Sequence, residues 1–343
     1  MRAVTFQEPG RVEVEERPEP EPLAPDDAVV RVEASGICGS DLHIYHGRVE
    51  IEPGFTLGHE YVGTVVAAGD AAGVAVGERV LGTFHTACGQ CFFCRRGVFQ
   101  KCDEARVFGH GAVLGSLQGT QAELALVPRA NLTLRRVPEG LSDGAALFAG
   151  DVMGTGYHAV VAAGLRAGDT VAVVGLGPVG LCAVMAARAG GAAHVIAIDT
   201  VEDRLAIARA MGAEAVHATE EDPRRAVKSA TAGLGVDIAV DAVGNPQALE
   251  TCCRLARKAG TVSVIGVYAE RVEVHMGILW LKSLNLVSGH ANVMGHLDRV
   301  LKLLASGALD VEPLVSREMK LDDAAEAYAA YDRREALKIV LRA

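Results

Sequence analysis

The sequence predicts an α/β protein built from two parts, an all-β lobe and a doubly wound parallel sheet. Up to about Gly150, short runs rich in β-branched residues are bounded by glycine and proline, as in AVVRVEASG, EYVGTVVAAG and GERVLGTFH. From about Met153, apolar strands alternate with alanine-rich helical stretches, as in TVAVVG followed by PVGLCAVMAARAG. This alternation is typical of a parallel sheet covered by helices. A length of 343 residues also favours two domains.

The predicted boundaries follow the change in texture. We place the β-lobe, expected to be a small barrel, at residues 1–152 and the helix-covered sheet at 153–289. A return segment, 290–343, holds two amphipathic stretches, around His296–Ser306 and Leu321–Tyr331, and a last strand, ALKIVLRA. This tail is expected to complete the first lobe.

Composition and charge argue against several classes of function. The formal net charge of -10 disfavours a nucleic-acid or anionic-membrane partner, which would need a basic face. No signal peptide is recognisable at the start. The longest uncharged apolar stretch, between Asp169 and Arg188, is interrupted by glycine and proline, so we do not expect a membrane span. Clustered cysteines suggest a reducing compartment, for which the cytoplasm is the simple expectation.

Four cysteines fall within fifteen residues, in ACGQCFFCRRGVFQKC. Their C-x2-C-x2-C-x7-C spacing suits tetrahedral Zn²⁺, since four thiolates close the metal's shell. An iron–sulfur cluster is one alternative, but the ferredoxin pattern closes with C-x3-C-P. Disulfides are another, although cysteines two residues apart are poorly placed to bridge each other. We therefore predict a structural zinc lobe at about residues 85–105, with the ligands Cys88, Cys91, Cys94 and Cys102.

A glycine-rich turn joins a strand to a helix in VAVVGLGPVGLCAV. It matches G-x-G-x-x-G, which brings backbone close to a pyrophosphate at a helix N-terminus, and an aspartate ends the next strand about twenty residues later. An ordinary glycine-bearing turn is the alternative. The aspartate can accept hydrogen bonds from both ribose hydroxyls and would repel a 2′-phosphate. We therefore predict NAD rather than NADP, bound by Gly175, Gly177, Pro178, Val179, Gly180, Asp199 and Arg204.

A second set of candidate metal ligands lies near the start of the chain. GHEYVG places His59 beside Glu60, about twenty residues after ASGICGSDLH, which contains Cys38, Ser40 and His43. Alone, each residue is weak evidence, because a single histidine or cysteine is more often part of a core. Together with the cysteine segment and the dinucleotide fingerprint, they form a specific pattern.

With this pattern, the whole chain resembles the zinc-containing medium-chain dehydrogenase/reductase family, the alcohol dehydrogenase superfamily. The signature G-H-E-x-x-G-x5-G, from Gly58 to Gly69, is specific to it. The resemblance implies a GroES-like β-barrel catalytic domain that holds two zinc ions and a Rossmann domain that binds NAD. It implies three ligands for the catalytic zinc: Cys38, His59 and Asp151.

The same resemblance assigns roles to nearby polar residues. Ser40 would hydrogen-bond the alcohol, His43 would end a proton relay, and Glu60 would lie behind the zinc or exchange with a ligand. A turn or helix cap is the alternative for Ser40 and Asp41, and a surface imidazole for His43. The chemistry agrees, since a Cys/His/carboxylate trio leaves one open zinc position for an alcohol.

Other positions follow from the resemblance with alternatives of their own. Asp151 stands where the family more commonly has cysteine or glutamate. An aspartate at this position resembles the branch that acts on secondary alcohols and the formaldehyde dehydrogenases. The alternative role for Asp151 is a helix N-cap. Lys338 would reach the pyrophosphate, or else be a solvated strand-edge lysine. Val267 and the Ser288–His290 segment would hold the carboxamide. Trp280 is expected in the core rather than in a pocket or subunit interface.

The predicted activity is NAD-dependent zinc alcohol dehydrogenase, acting on a secondary alcohol or small polyol. Polyol, threonine and formaldehyde dehydrogenases are the nearest alternatives. A zinc-free quinone or enone reductase and a non-catalytic cofactor-binding protein are more distant ones, and the candidate zinc ligands argue against both. The family resemblance also implies a homo-oligomer, a tetramer or a dimer.

Overall fold

The computed structural model describes residues 1–268 and 271–343, which form two compact units. Unit 1 comprises Met1–Gly154 and Asn292–Ala343, and unit 2 comprises Thr155–Ala291. The sequence prediction placed the corresponding boundaries after residues 152 and 289.

The chain forms the following strands and α-helices, each numbered in chain order. The strands are β1 (Arg2–Glu8), β2 (Arg11–Glu16), β3 (Ala28–Ile37), β4 (Glu60–Ala68), β5 (Arg79–Gly82), β6 (Leu124–Val127), β7 (Leu134–Arg136), β8 (Thr170–Val174), β9 (His194–Asp199), β10 (Glu214–His217), β11 (Val236–Asp241), β12 (Ala256–Val264), β13 (Asn285–Ser288), β14 (Arg317–Lys320) and β15 (Ile339–Arg342). The α-helices are α1 (Gly39–Tyr45), α2 (Ala130–Thr133), α3 (Asp143–Ala149), α4 (Val152–Ala162), α5 (Pro178–Ala189), α6 (Glu202–Ala210), α7 (Pro223–Ala230), α8 (Pro246–Leu255), α9 (Met276–Lys282), α10 (Val293–Ala305) and α11 (Ala324–Asp332).

Unit 2 contains a parallel sheet, whose described strands run in the order β10-β9-β8-β11-β12-β13. The apolar strand β8 is buried along nearly its whole length, as expected for a strand covered on both faces. The order reverses between β8 and β11, and ligands of doubly wound sheets bind at such a switch point, outside the carboxyl ends of the strands. The predicted doubly wound sheet is therefore confirmed.

Unit 1 is mostly β, and its larger sheet runs β14-β15-β3-β4-β5-β7, with β6 also paired to β3. The last strand, β15, runs antiparallel to β3, with Ile339 opposite Ile37. The tail therefore returns to the first lobe. Two helices, α10 and α11, occupy its predicted amphipathic stretches. Among the described residues, no helix has both the length and the apolar character needed to cross a bilayer.

The expectation that Trp280 lies in the core is wrong, because the residue is 79% exposed. It belongs to the short helix α9, in which Ile278 and Leu279 pack against the core of unit 2. A helix that packs through one side leaves its remaining side chains in solvent. Trp280 lies on the side that is left exposed.

Candidate functional site

The three predicted ligands of the catalytic zinc converge in unit 1. Cys38 precedes α1, His59 precedes β4, and Asp151 lies in the turn between α3 and α4. Asp151 Oδ2 is 3.4 Å from Cys38 Sγ and 3.3 Å from His59 Nε2. Typical zinc bond lengths place such atoms roughly 3.4–3.6 Å apart in a tetrahedral site. The spacing therefore fits one zinc ion held by these three side chains.

Burial and charge at this cluster also fit a cation. His59 is 2% exposed and Asp151 is 8% exposed. Burial opposes the ionisation of Asp151, but His59 and Lys338 hold its pKa at about 2. Burial raises the pKa of the Cys38 thiol, and Asp151 adds to this effect. Buried anionic groups need a compensating positive charge, and a zinc ion would supply it.

Asp41 contacts the ring nitrogen of His59 that faces away from the other predicted zinc ligands, a role that the sequence did not reveal. Asp41 Oδ1 lies 3.1 Å from His59 Nδ1, which leaves Nε2 on the side of Cys38 and Asp151. Asp41 Oδ2 accepts a hydrogen bond from the Cys38 backbone amide at 2.9 Å, so the helix cap weighed for this residue is present as well. A carboxylate on the second ring nitrogen fixes the tautomer and direction of a metal-binding histidine.

Lys338 is not a solvated lysine at a strand edge. It is 0% exposed, and its Nζ donates to the Glu60 carboxylate at 2.5 Å and to the Ile37 carbonyl at 3.0 Å. Burial alone would lower the pKa of Lys338, but the Glu60 carboxylate raises it above its usual value. Glu60 also belongs to the metal cluster, because one of its carboxylate oxygens lies within 4.8 Å of the ligand atoms of Cys38, His59 and Asp151. The contact of Lys338 with a pyrophosphate stays a prediction.

The two relay candidates share helix α1. Ser40 Oγ lies 3.3 Å from His59 Nε2, on the side of the imidazole that faces the other ligands. His43 follows one turn later, and residues spaced in this way lie on one face of a helix. Burial lowers the pKa of His43, and Arg48 and His46 lower it further. The arrangement is compatible with a proton relay, which stays a prediction.

The four-cysteine segment folds around a single point in unit 1. Its four sulfur atoms lie within 4.8 Å of one another, and one ion with Zn–S bonds of about 2.3 Å would place them roughly 3.8 Å apart. Backbone amides of Cys94 and Asp103 lower the pKa of Cys91 to about 6, so this residue is readily a thiolate. All eight cysteines are free thiols, which excludes the disulfide alternative. The compact sulfur set fits one ion better than a cluster of several irons.

The glycine-rich turn lies at the carboxyl end of β8, at the switch point of the sheet. Gly175 has φ +88°, and a Cβ at Gly180 would lie 1.8 Å from the Gly175 carbonyl oxygen, so both positions require glycine. At Gly177, the N-cap of α5, a Cβ would meet nothing within 4 Å. Pro178 and Val179 open the helix behind it. This open helix start can receive a pyrophosphate.

Asp199 ends β9, next to the same turn. Its carboxylate accepts hydrogen bonds from the Leu176 and Thr200 backbone amides, both at 2.6 Å. Arg204 Nη1 lies 3.8 Å from Asp199 Oδ2. The aspartate favours a free ribose 2′-hydroxyl, whereas the arginine offers a charge that a 2′-phosphate could meet. Val267 lies beyond β12, and its role toward the carboxamide stays a prediction.

Fold and site together define an oxidoreductase of the alcohol dehydrogenase type. Two family models match: "Alcohol dehydrogenase GroES-like domain" over residues 24–139 and "Zinc-binding dehydrogenase" over residues 178–306. The alcohol dehydrogenase TADH from Thermus sp. ATN1 has a TM-score of 0.96 and 43% identity, over 100% of this chain and 99% of that chain. A probable zinc-binding alcohol dehydrogenase of Mycobacterium tuberculosis is 38% identical over 347 residues, covering 100% of this chain and 88% of the relative. The chain belongs to the zinc-containing medium-chain dehydrogenase/reductase family.

Two further proteins bear on cofactor and substrate. A putative zinc-binding dehydrogenase from Sinorhizobium meliloti 1021, bound to NADP, has a TM-score of 0.89 and 31% identity, over 100% of this chain and 99% of that chain. A glutathione-independent formaldehyde dehydrogenase from Pseudomonas aeruginosa is 32% identical over 388 residues, covering 99% of this chain and 97% of the relative.

Proposed function

We propose that the protein is a zinc-dependent alcohol dehydrogenase that transfers hydride reversibly between a secondary alcohol or small polyol and NAD. The convergence of Cys38, His59 and Asp151 around one point carries this proposal, with Ser40 Oγ 3.3 Å from His59 Nε2. Three side-chain ligands leave one zinc position open, as catalysis requires. We also propose that the four-cysteine segment holds a second, structural zinc ion.

The residues of the chain would hold the site and move the proton. Zinc would supply a Lewis acid that polarises the substrate oxygen, and NAD would supply the hydride acceptor. Asp41 keeps His59 Nε2 directed at the metal position. Ser40 Oγ accepts the hydrogen bond of the alcohol hydroxyl. His43, one turn along α1, passes the proton to solvent, because an imidazole titrates near neutral pH.

A substrate panel tests the proposed activity. We expect zinc-replete protein with NAD to form NADH fastest from 2-alkanols or small polyols, and more slowly from primary alcohols, threonine and formaldehyde. The readout is the initial rate at 340 nm. Formaldehyde as the best substrate would favour the activity named for the Pseudomonas relative. Enone reduction by zinc-free protein would instead favour the alternative of a zinc-free quinone or enone reductase.

NAD is expected to be preferred over NADP because the Asp199 carboxylate would repel a 2′-phosphate. Asp199→Asn removes the charge and keeps one side-chain oxygen, which can accept from the Leu176 amide or from the Thr200 amide but not from both, since these amides donate to different oxygens of Asp199. The ratio of kcat/KM for NAD to that for NADP should fall about tenfold or more in this variant, the scale of one hydrogen bond to a charged group. Arg204 would then face the phosphate without its acidic neighbour.

The matched control for this cofactor test is Asp203→Asn. Asp203 is an exposed aspartate on α6 and is not among the predicted cofactor residues. Its ratio should equal that of the unaltered protein. The proposal that NAD is the preferred cofactor fails if the unaltered protein has equal kcat/KM values for NADP and NAD.

A homo-oligomer is also part of the proposal, and exposed apolar residues in unit 2 support it. β13 is the outer strand of the described parallel sheet, and nearby Met276 and Trp280 on α9 are 66% and 79% exposed. Exposed apolar groups beside a strand edge are typical of an interface. Mass photometry should show a dimer or tetramer that Trp280→Glu shifts toward smaller species. Leu23→Glu, at another exposed apolar residue, should leave the assembly intact; a monomeric unaltered protein would contradict the proposal.

We propose a cytoplasmic location because the cysteines are in the reduced state. All eight are free thiols, and the metal-binding ones must stay reduced to hold zinc. Fractionation of the source cells, with activity measured in each fraction, tests this proposal.

A further inference from the structure

A cavity of about 370 Å³ lies in unit 2, at the edge of the sheet opposite the dinucleotide fingerprint. Gly235 and Ala256 in its wall mark the amino ends of β11 and β12, whereas Gly175 follows the carboxyl end of β8. These strands are parallel, so their amino ends share one edge of the sheet and their carboxyl ends share the other. The cavity is therefore separate from the predicted NAD site.

The walls of this cavity carry positive charge and no negative charge. Its ionisable lining residues are all cationic, namely Arg224, Lys228, Arg254, Lys258 and Lys282. Arg254 pairs with Glu250, which lies outside the lining. Among the residues that the structure describes, no acidic side chain forms an ion pair with the other four. In a chain with a formal net charge of -10, five cations in one cavity, four of them without an acidic partner among the described residues, stand apart from the overall composition.

Lys282 shows that these charges lie close to one another. Its Nζ donates to three backbone carbonyls around the C-terminal end of α8, at 2.5–2.9 Å, so the ammonium is fixed in place. Burial lowers the pKa of Lys282; the Cys253 thiol opposes this, and Arg224, Lys228 and Arg254 lower it further. Arg224, Lys228 and Arg254 therefore lie close enough to the Lys282 ammonium to disfavour its charge. A bound anion would relieve that repulsion.

Apolar side chains complete the walls: Val227, Leu234, Ile278 and Leu281. We propose that the cavity binds a small phosphorylated molecule, with its phosphate among the cations and its body against these apolar side chains. Arginine and lysine recognise phosphate through charge-assisted hydrogen bonds. The volume lies in the range of small-ligand sites. This site is independent of the proposed dehydrogenase activity.

Calorimetry with two probes tests the proposal on the full-length, zinc-replete protein. Phenyl phosphate carries both the charge and an apolar body, and inorganic phosphate carries the charge alone. At an ionic strength of about 0.15 M, where exposed charges are screened, we expect phenyl phosphate to bind once per chain and more tightly than inorganic phosphate. Lys228→Glu should weaken its binding about tenfold or more, the loss expected for one hydrogen bond to a charged group.

Arg225→Glu provides a matched control for this charge reversal. Arg225 neighbours Arg224 on α7 and is exposed, but it does not line the cavity. Its variant should bind phenyl phosphate as the unaltered protein does, and Lys258→Glu should repeat the loss seen with Lys228→Glu. Equal weakening by Arg225→Glu would show a general charge effect and overturn the site. Equal affinities for the two probes would overturn the role of the apolar walls, and the absence of binding would overturn the proposal altogether.

Discussion

Asp151→Ala is expected to lose one of two zinc ions per chain and nearly all alcohol oxidation. The Asp151 carboxylate lies 3.3 Å from His59 Nε2 and 3.4 Å from Cys38 Sγ, so its removal leaves two ligands where three are needed. Loss of one preorganised electrostatic group costs about 10²–10³ in kcat, and loss of the metal itself should cost at least as much. Zinc content by mass spectrometry and the initial rate of NADH formation measure the two effects.

A surface aspartate supplies the control for this variant. Asp298 has a side chain that is 71% exposed and pairs with Arg135, in the same unit as the cluster. Asp298→Ala should keep two zinc ions and full activity. If Asp151→Ala also keeps both zinc ions, Asp151 is a helix cap and the ligand assignment is wrong.

Cys94→Ala is expected to lose the other zinc ion and much of the stability of unit 1. Cys94 is buried with Ala87, Cys102 and Met294, so the cysteine segment packs on helix α10 of the same unit. Structural zinc ions contribute about 10–16 kcal/mol in small zinc peptides, and we expect a loss of several kcal/mol here, where other packing remains. Zinc content and thermal unfolding measure the loss. The zinc ion at Asp151 should remain.

The control for the cysteine lobe is Cys252→Ala. Cys252 is fully buried in the core of unit 2 and belongs to neither metal cluster. Its variant should keep both zinc ions and lose only the small free energy of a truncated core side chain. A Cys94→Ala protein that retained two zinc ions and its melting temperature would contradict a structural zinc site.

The parts of the site that the sequence predicted are those in which local spacing carries the chemistry. The C-x2-C-x2-C-x7-C segment and the turn from Gly175 to Gly180 each lie within a short stretch, so their geometry follows from their spacing. The set of Cys38, His59 and Asp151 is different, since its members come from separate segments. Only the resemblance to a family brought them together, and the structure places their ligand atoms within 4.8 Å.

The features that the sequence did not reveal depend on contacts between distant residues. Lys338 is buried against Ile37 and Glu60 because β15 pairs with β3. Lys338 and Ile37 are 301 positions apart in the sequence. Asp41 has a local capping signal, but its contact with His59 appears only when α1 and β4 are assembled. The exposure of Trp280 depends on which side of α9 packs against the rest of unit 2, and the local sequence does not indicate that side.

The burial of Glu60 and Lys338 links the return segment to the metal cluster. A buried ion pair is weak evidence for stability, but removal of one partner leaves a buried charge without compensation. Lys338 is supplied by the tail, whereas Glu60 follows the zinc ligand His59. A complete metal site in unit 1 therefore depends on the docking of residues near the C-terminus.

The most direct test of the central proposal is the initial rate of NADH formation from the best panel alcohol before and after zinc removal. The protein would be stripped with a chelator, assayed with NAD, and assayed again after zinc is restored. We expect activity to disappear when zinc is lost from Cys38, His59 and Asp151 and to return when zinc is restored there. Undiminished oxidation by protein shown to lack zinc at this cluster would contradict it.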